Sequence, residues 1–195
     1  ATVSRRTGGL PVIGIALLCM LASSMRIRSV VMIGVMAAAM VPFAFRLASQ
    51  WNPEFGFYAA VLLMEAAAVF WLDTRVRFSW HVLGALGAWA VLHMAGGTIG
   101  IPESVTEPGR PETLYNLRLH PYAPKYDQVV HAFGFGAATL AAWQAIRVMG
   151  RRKIPPGPGL FVLLVCVGSG LGAINEVIEF VATRLMPDTN VGGYD

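Results

Sequence analysis

The chain has 195 residues, 55% of them hydrophobic and only 13% charged, with a formal net charge of +4 and a mean hydropathy of +0.58. A soluble domain carries about 25% charged residues, so this composition excludes a disordered chain, a disulfide scaffold, a coiled coil and an ordinary soluble domain. It leaves an all-α, polytopic transmembrane helical bundle. The positive charge is mostly arginine in short clusters between apolar runs, which fits the membrane–water boundary and not the basic stripe that binds nucleic acid.

A span needs about 20 apolar residues, so the chain has room for about six. The expected segments are Gly8–Ser24, Val30–Phe45, Phe55–Leu72, Trp80–Gly97, Asp127–Met149 and Pro158–Arg184, forming one integral membrane domain. Arg5 and Arg6 before Leu10–Ser24 also fit a signal peptide, but the next apolar run follows after a few residues, which favours a helical hairpin over residues 8–45. Both arms of that hairpin are short for a span, and Pro42 is placed to end or kink the second. Cys19 and Cys166 lie inside apolar runs, away from any disulfide or zinc-finger pattern.

Positive charge marks the cytoplasmic side. Arg147, Arg151, Arg152 and Lys153 place loop 147–157 there, and alternation adds Arg26, Arg28, Arg75 and Arg77. The long loop 98–126 then faces the periplasm, and the protein is expected as a multi-pass resident of a bacterial inner membrane. In that loop Glu103, Glu107 and Glu112 balance Arg110, Arg118 and Lys125. Trp51 and Tyr58 fall at the outer interface, and Trp71 and Trp80 at the inner one.

Ionisable residues inside spans are costly and mark functional sites by default. Glu65 lies in the middle of segment three, His93 near the outer end of segment four, Asp127 and His131 at the start of segment five, and Asn175, Glu176 and Glu179 toward the outer end of segment six. Asp127 and His131 are i and i+4 and share a helix face; Glu176 and Glu179 are i and i+3 and do the same. At about 1.5 Å per residue, His93, Asp127, His131, Glu176 and Glu179 form one layer near the outer boundary, with Glu65 deeper. Two imidazoles and three carboxylates can make a shell for zinc, manganese or iron. They can equally make an interhelical hydrogen-bond and ion-pair network, or a proton or ion path.

Other signals are weaker. Gly168-x-x-x-Gly172 allows close helix approach, and Gly96–Gly97 reads as a helix stop that would also admit a ligand to the backbone. Gly168 to Ala173 also matches a dinucleotide fingerprint, without the strand it requires. Nucleophile elbows, P-loops and His-Glu-x-x-His motifs are absent from the sequence.

The order His93-Met-Ala-Gly-Gly97, Tyr126-Asp127-Gln-Val-Val-His131 with Gly134, Asn175-Glu176-Val-Ile-Glu179 and Gly192-Gly193-Tyr194-Asp195 resembles the YjdF-like family of small bacterial inner-membrane proteins. It is more distantly similar to VanZ-like proteins, which carry Asp-x-x-x-His followed by a glutamate-bearing helix. The resemblance covers residues 80–195. It implies shared polar residues at His93, Asp127, His131, Glu176, Glu179 and Asp195, and in such families the Gly-Tyr-Asp stretch runs on to a further aspartate and another apolar span.

Three functions follow as expectations. The first is a binding or accessory subunit of a membrane complex, with an outer-side site for a metal ion or a polar headgroup, partnered by membrane lipids and other membrane subunits. The second is a metal-dependent enzyme acting on a lipid-linked substrate at the outer leaflet. The third is a small proton-coupled transporter with Glu65 as an intermediate stop.

Overall fold

A computed structural model describes residues 27–49, 53–150 and 154–185. Outside the described residues fall the expected first segment with Cys19, the residues Arg5, Arg6, Arg26, Trp51, Arg151, Arg152 and Lys153, and the final stretch with Asp195. The side chains of Arg28 and Tyr58 fall outside them as well.

The described residues form five α-helices, α1 (Ile27–Ser49), α2 (Pro53–Val76), α3 (Trp80–Thr98), α4 (Tyr126–Met149) and α5 (Pro158–Leu185), and no strand longer than an isolated bridge. Proline opens α2 and α5 at the first helical position, where its missing N–H costs nothing. Ser79 caps α3 by accepting the Val82 N–H at 3.4 Å. Gln128 reaches back to the Lys125 N–H at 3.0 Å at the start of α4, and Asp127 sits in that first turn, where the helix dipole favours a carboxylate. Helix α1 continues through Pro42 to Ser49, so the expected stop at that proline does not occur.

The expected count of about six spans is not supported among the described residues. Two described helices, α4 and α5, are long and apolar enough to cross a membrane by length and composition. Helix α1 contributes the apolar stretch Gly34–Phe45 to the described residues. Helix α2 carries Glu65, Asp73 and Arg75, and α3 dilutes its apolar residues with two histidines, two tryptophans and four glycines.

Helices α3 and α4 form the centre; α1 packs on α3, α5 on α4, and α2 touches α4 and α1. Close approach depends on absent side chains. A Cβ on Gly134 would collide with the Trp89 indole, one on Gly168 with the Thr139 hydroxyl, and one on Gly172 would press on the Phe135 ring. The Gly168/Gly172 pair therefore seats α5 on α4.

At one end, the short turn from α2 to α3 is fixed to α4. Gln144 accepts the Ser79 N–H at 2.9 Å and donates to the Ser79 hydroxyl at 2.8 Å. Asp73 accepts the Phe78 N–H at 2.7 Å. Phe78, 1% exposed, fills a cluster with Val76, Val82 and Leu83. Arg77 adopts a left-handed φ of 60° there, a conformation that costs a non-glycine residue about 1–3 kcal/mol and that the surrounding bonds hold. Arg75 lies over Trp71 and Arg147 over Trp143, so the arginines of α2 and α4 collect at this same end.

At the other end the connection between α3 and α4 folds into a cap. Backbone bridges join Gly100 to Thr113 and Thr106 to Leu117, and Glu107 receives Arg118 at 3.0 Å and Lys125 at 3.5 Å.

Replacing Gly168 by leucine forces α5 off Thr139 and is expected to cost about 1–3 kcal/mol, whereas Gly170→Ala, with open space around its Cβ, leaves stability unchanged. Thermal unfolding of the two variants in one detergent checks this.

Candidate functional site

The capped end of the bundle gathers polar side chains from four helices. On α5 the residues Gly168, Gly172, Asn175, Glu179 and Ala182 follow a four–three spacing that keeps one stripe against the neighbouring helix. The two glycines and Ala182 are buried, and Asn175 and Glu179 continue the stripe to the capped end. On α4 the buried positions Val130, His131, Gly134 and Ala137 face inward in the same way. Asp127 stands one turn before His131.

His131 is the hub. Its Nδ1 lies 3.3 Å from Asp127 Oδ1, and its Nε2 lies 3.2 Å from Glu179 Oε1. Asn175 Nδ2 donates to Glu179 Oε1 at 2.7 Å and stands 3.3 Å from His131 Nε2. The Phe135 ring stacks on the imidazole at 5.8 Å with an interplanar angle of 7°. Side-chain exposure is 26% at Asp127, 9% at His131 and 14% at Glu179, so the chain of bonds has a wet end at Asp127 and a dry middle.

His93 approaches from α3 with its ring 5.7 Å from that of His131. It is packed between Trp89 at 5.4 Å and the edge of Tyr115 at 5.5 Å. Tyr115 comes from the cap, and its hydroxyl donates to the His93 carbonyl at 2.7 Å. Tyr126 does the same to the Leu92 carbonyl at 2.9 Å. Gly96 lies in the last turn of α3, which ends at Thr98, one residue past the expected stop at Gly97, and a Cβ on Gly96 would strike the Tyr115 ring. The opening read as access for a ligand is filled by the protein's own tyrosine. Two buried nitrogens at the site, His93 Nδ1 and Trp89 Nε1, have no hydrogen-bond partner among the described residues.

Beside this hub lies a cavity of about 20 Å³ lined by Val61, Leu62, Glu65, Trp89, His93, Asn175, Ile178 and Glu179. That volume holds about one water molecule. Glu65, expected to stand apart at greater depth, shares this cavity with Glu179 and His93.

Of the residues singled out from the sequence, Asp127, His131, Asn175 and Glu179 are joined by bonds, and His93 and Glu65 line the same place. Glu176 is exposed, one position off the stripe that carries Asn175 and Glu179. Asp195 lies outside the described residues. Among the described residues, no group of three His, Cys, Asp or Glu side chains is arranged to hold a metal ion. Sequence reasoning missed Tyr115 and Trp89. Trp89 had a signal, since it precedes His93 by four positions and shares its face; Tyr115 had none, because its approach depends on how the cap folds.

Residues 27–193 match the family described as "Predicted membrane protein (DUF2238)". The chain belongs to this family. No curated protein and no solved structure matches it. The family description carries membrane residence and names no activity, so the chemistry has to be read from the polar hub itself.

Exchanging His131 for leucine leaves Asp127 and Glu179 without their shared partner and is expected to lower stability by roughly 1–3 kcal/mol. Glu176→Gln, on an exposed position, should change it by less than about 0.5 kcal/mol. Unfolding midpoints in detergent separate the two outcomes.

Proposed function

We propose that this family member is a multi-pass protein of the bacterial inner membrane whose Asp127–His131–Glu179 chain takes up and releases a proton, as part of a proton path across the bilayer. In this reading the helices α1 to α5 stand side by side in the bilayer, membrane lipids cover the exposed apolar face of α5, and the cap lies on the periplasmic side. The arginines of α2 and α4 at the opposite end support that orientation.

One observation carries the reading: both ring nitrogens of His131 face carboxylates from different helices, and the inner carboxylate shares a water-sized cavity with Glu65. An imidazole between two carboxylates can gain and lose a proton without moving a heavy atom. A water in the cavity would connect Glu179 to Glu65, the next acid along the bundle.

The other expectations ask more of the site. A zinc, manganese or iron ion held by His93, His131, Asp127 and Glu179 requires His131 to turn away from at least one carboxylate. A polar headgroup, or the reacting part of a lipid-linked substrate, needs a larger space than one water. An accessory subunit would need a partner along α5, which co-purification would reveal.

The test uses purified full-length protein in liposomes with a pH-sensitive dye trapped inside. An imposed pH gradient should collapse at least tenfold faster than in empty vesicles. Glu179→Gln and Glu65→Gln should each remove that gain, and Glu176→Gln should keep it. Equal rates with and without protein overturn the reading. A stoichiometric transition metal in elemental analysis would turn the assignment toward the metal centre.

A further inference from the structure

His131 meets two carboxylates at nearly equal distances, 3.3 Å on the Nδ1 side and 3.2 Å on the Nε2 side. When the imidazole is protonated, both nitrogens donate and the arrangement is symmetric. When it is neutral, one nitrogen keeps its hydrogen and the other presents a lone pair. That lone pair would then face a carboxylate oxygen, unless a donor stands beside it. The two carboxylates alone do not decide which nitrogen that is.

Asn175 breaks the symmetry. Its orientation is chemically fixed: the atom 2.7 Å from Glu179 Oε1 must be the amide nitrogen, because the amide oxygen would repel the carboxylate. An amide nitrogen carries two hydrogens. One goes to Glu179, and His131 Nε2 lies 3.3 Å from the same nitrogen, within reach of the second. Among the described residues, no such donor is bonded to the Asp127–Nδ1 side.

We infer that Asn175 is a positioning residue that makes Nε2 the nitrogen from which His131 releases its proton. In the protonated state His131 donates through Nδ1 to Asp127 and through Nε2 to Glu179. On deprotonation the Nε2 proton leaves toward Glu179 and the cavity, and Asn175 donates its second hydrogen to the vacated lone pair. Nδ1 keeps its hydrogen and its bond to Asp127 throughout. The hydrogen bond made at one nitrogen thereby sets the state of the other.

The groups facing His131 are consistent with release on that side. Helix α4 supplies Asp127, with Lys125 near it at the rim; α3 supplies His93; α5 supplies Glu179, Asn175 and, at longer range, Glu176; and α2 supplies Glu65 across the cavity. The proton released at Nε2 enters the space that Glu65 and Glu179 share, while Asp127 stays the exposed end. This deepens the proton-binding reading above and rests on it.

The experiment is nitrogen NMR of the full-length protein in nanodiscs, with only histidine labelled by ¹⁵N. The sequence has four histidines, His81, His93, His120 and His131, and the spectrum of His131→Gln assigns the hub. At high pH the wild type should show His131 with hydrogen on Nδ1 and an unprotonated, hydrogen-bonded Nε2. In Asn175→Leu the neutral ring should lose this preference and shift to the Nε2–H form, and Asn175→Asp should do the same. Should either variant fail to fold, the wild-type tautomer alone remains decisive. A wild-type Nε2–H tautomer, an imidazolium that persists throughout the titration, or an Asn175→Leu spectrum unchanged from wild type overturns the assignment. Liposome flux is a separate readout. Its absence beside an Nδ1–H tautomer sinks the proton path and leaves Asn175's role intact, whereas flux with an Nε2–H tautomer does the reverse.

Discussion

The arrangement turns on one constraint: an imidazole taken out of water must have both ring nitrogens answered. His131 is 9% exposed at its side chain, and a polar group left bare in such a place costs about 1–3 kcal/mol. Asp127 can answer from the same helix because it lies one turn earlier. The second nitrogen needs a partner from elsewhere, and that requirement fixes the depth and rotation of α5 against α4. Glu179 reaches His131 because Gly172 and Gly168 let α5 press against Phe135 and Thr139. The small residues and the acid thus act as one device, the glycines setting the distance and the glutamate setting the register.

Helix α3 is placed by a related logic. Gly134 on α4 leaves the room that the Trp89 indole takes up, and this brings His93, one turn along, beside His131. The cap then closes over the C-terminal end of α3. A helical carbonyl has a second lone pair beyond the one used in the ladder, and tyrosine hydroxyls from outside α3 donate to two carbonyls one turn before its end, those of Leu92 and His93. The cap itself is held by Glu107 between Arg118 and Lys125. Such partly exposed ion pairs contribute little singly; here their use is to hold Tyr115 over Gly96, so that the polar cluster meets solvent through Asp127.

Much of this was legible in the residues. The bounds of α3, α4 and α5 follow from apolar runs ended by glycine, proline and charge, and the four-residue step from Asp127 to His131 gives their shared face directly. The rotation of α5 was legible in principle. Gly168, Gly172, Asn175, Glu179 and Ala182 define a stripe that excludes Glu176, but pairing the two glutamates by their three-residue spacing hid it. Glu65 was read by depth alone, and depth does not say which neighbour a side chain faces. Gln144 and Tyr115 act through contacts 65 and 22 positions away along the chain, and local pattern has no access to such pairs. The number of spans was less legible: α3 has the length of a span but dilutes its apolar residues with histidines, tryptophans and glycines.

The remaining question is why such a hub should suit a proton better than a larger guest. A metal ion needs ligand lone pairs converging on one point, with carboxylate and imidazole as neighbours around it. In this site a carboxylate oxygen lies 3.3 Å from one ring nitrogen of His131 and another 3.2 Å from the other, so each gap has about the length of a hydrogen bond. The adjoining cavity repeats that scale, holding about one water. Orphaned nitrogens on His93 and Trp89 leave the surroundings with unused hydrogen-bonding capacity beside two acids. In the proposed reading, gaps of one hydrogen bond and one water suit a species that travels by those two means, as a proton does.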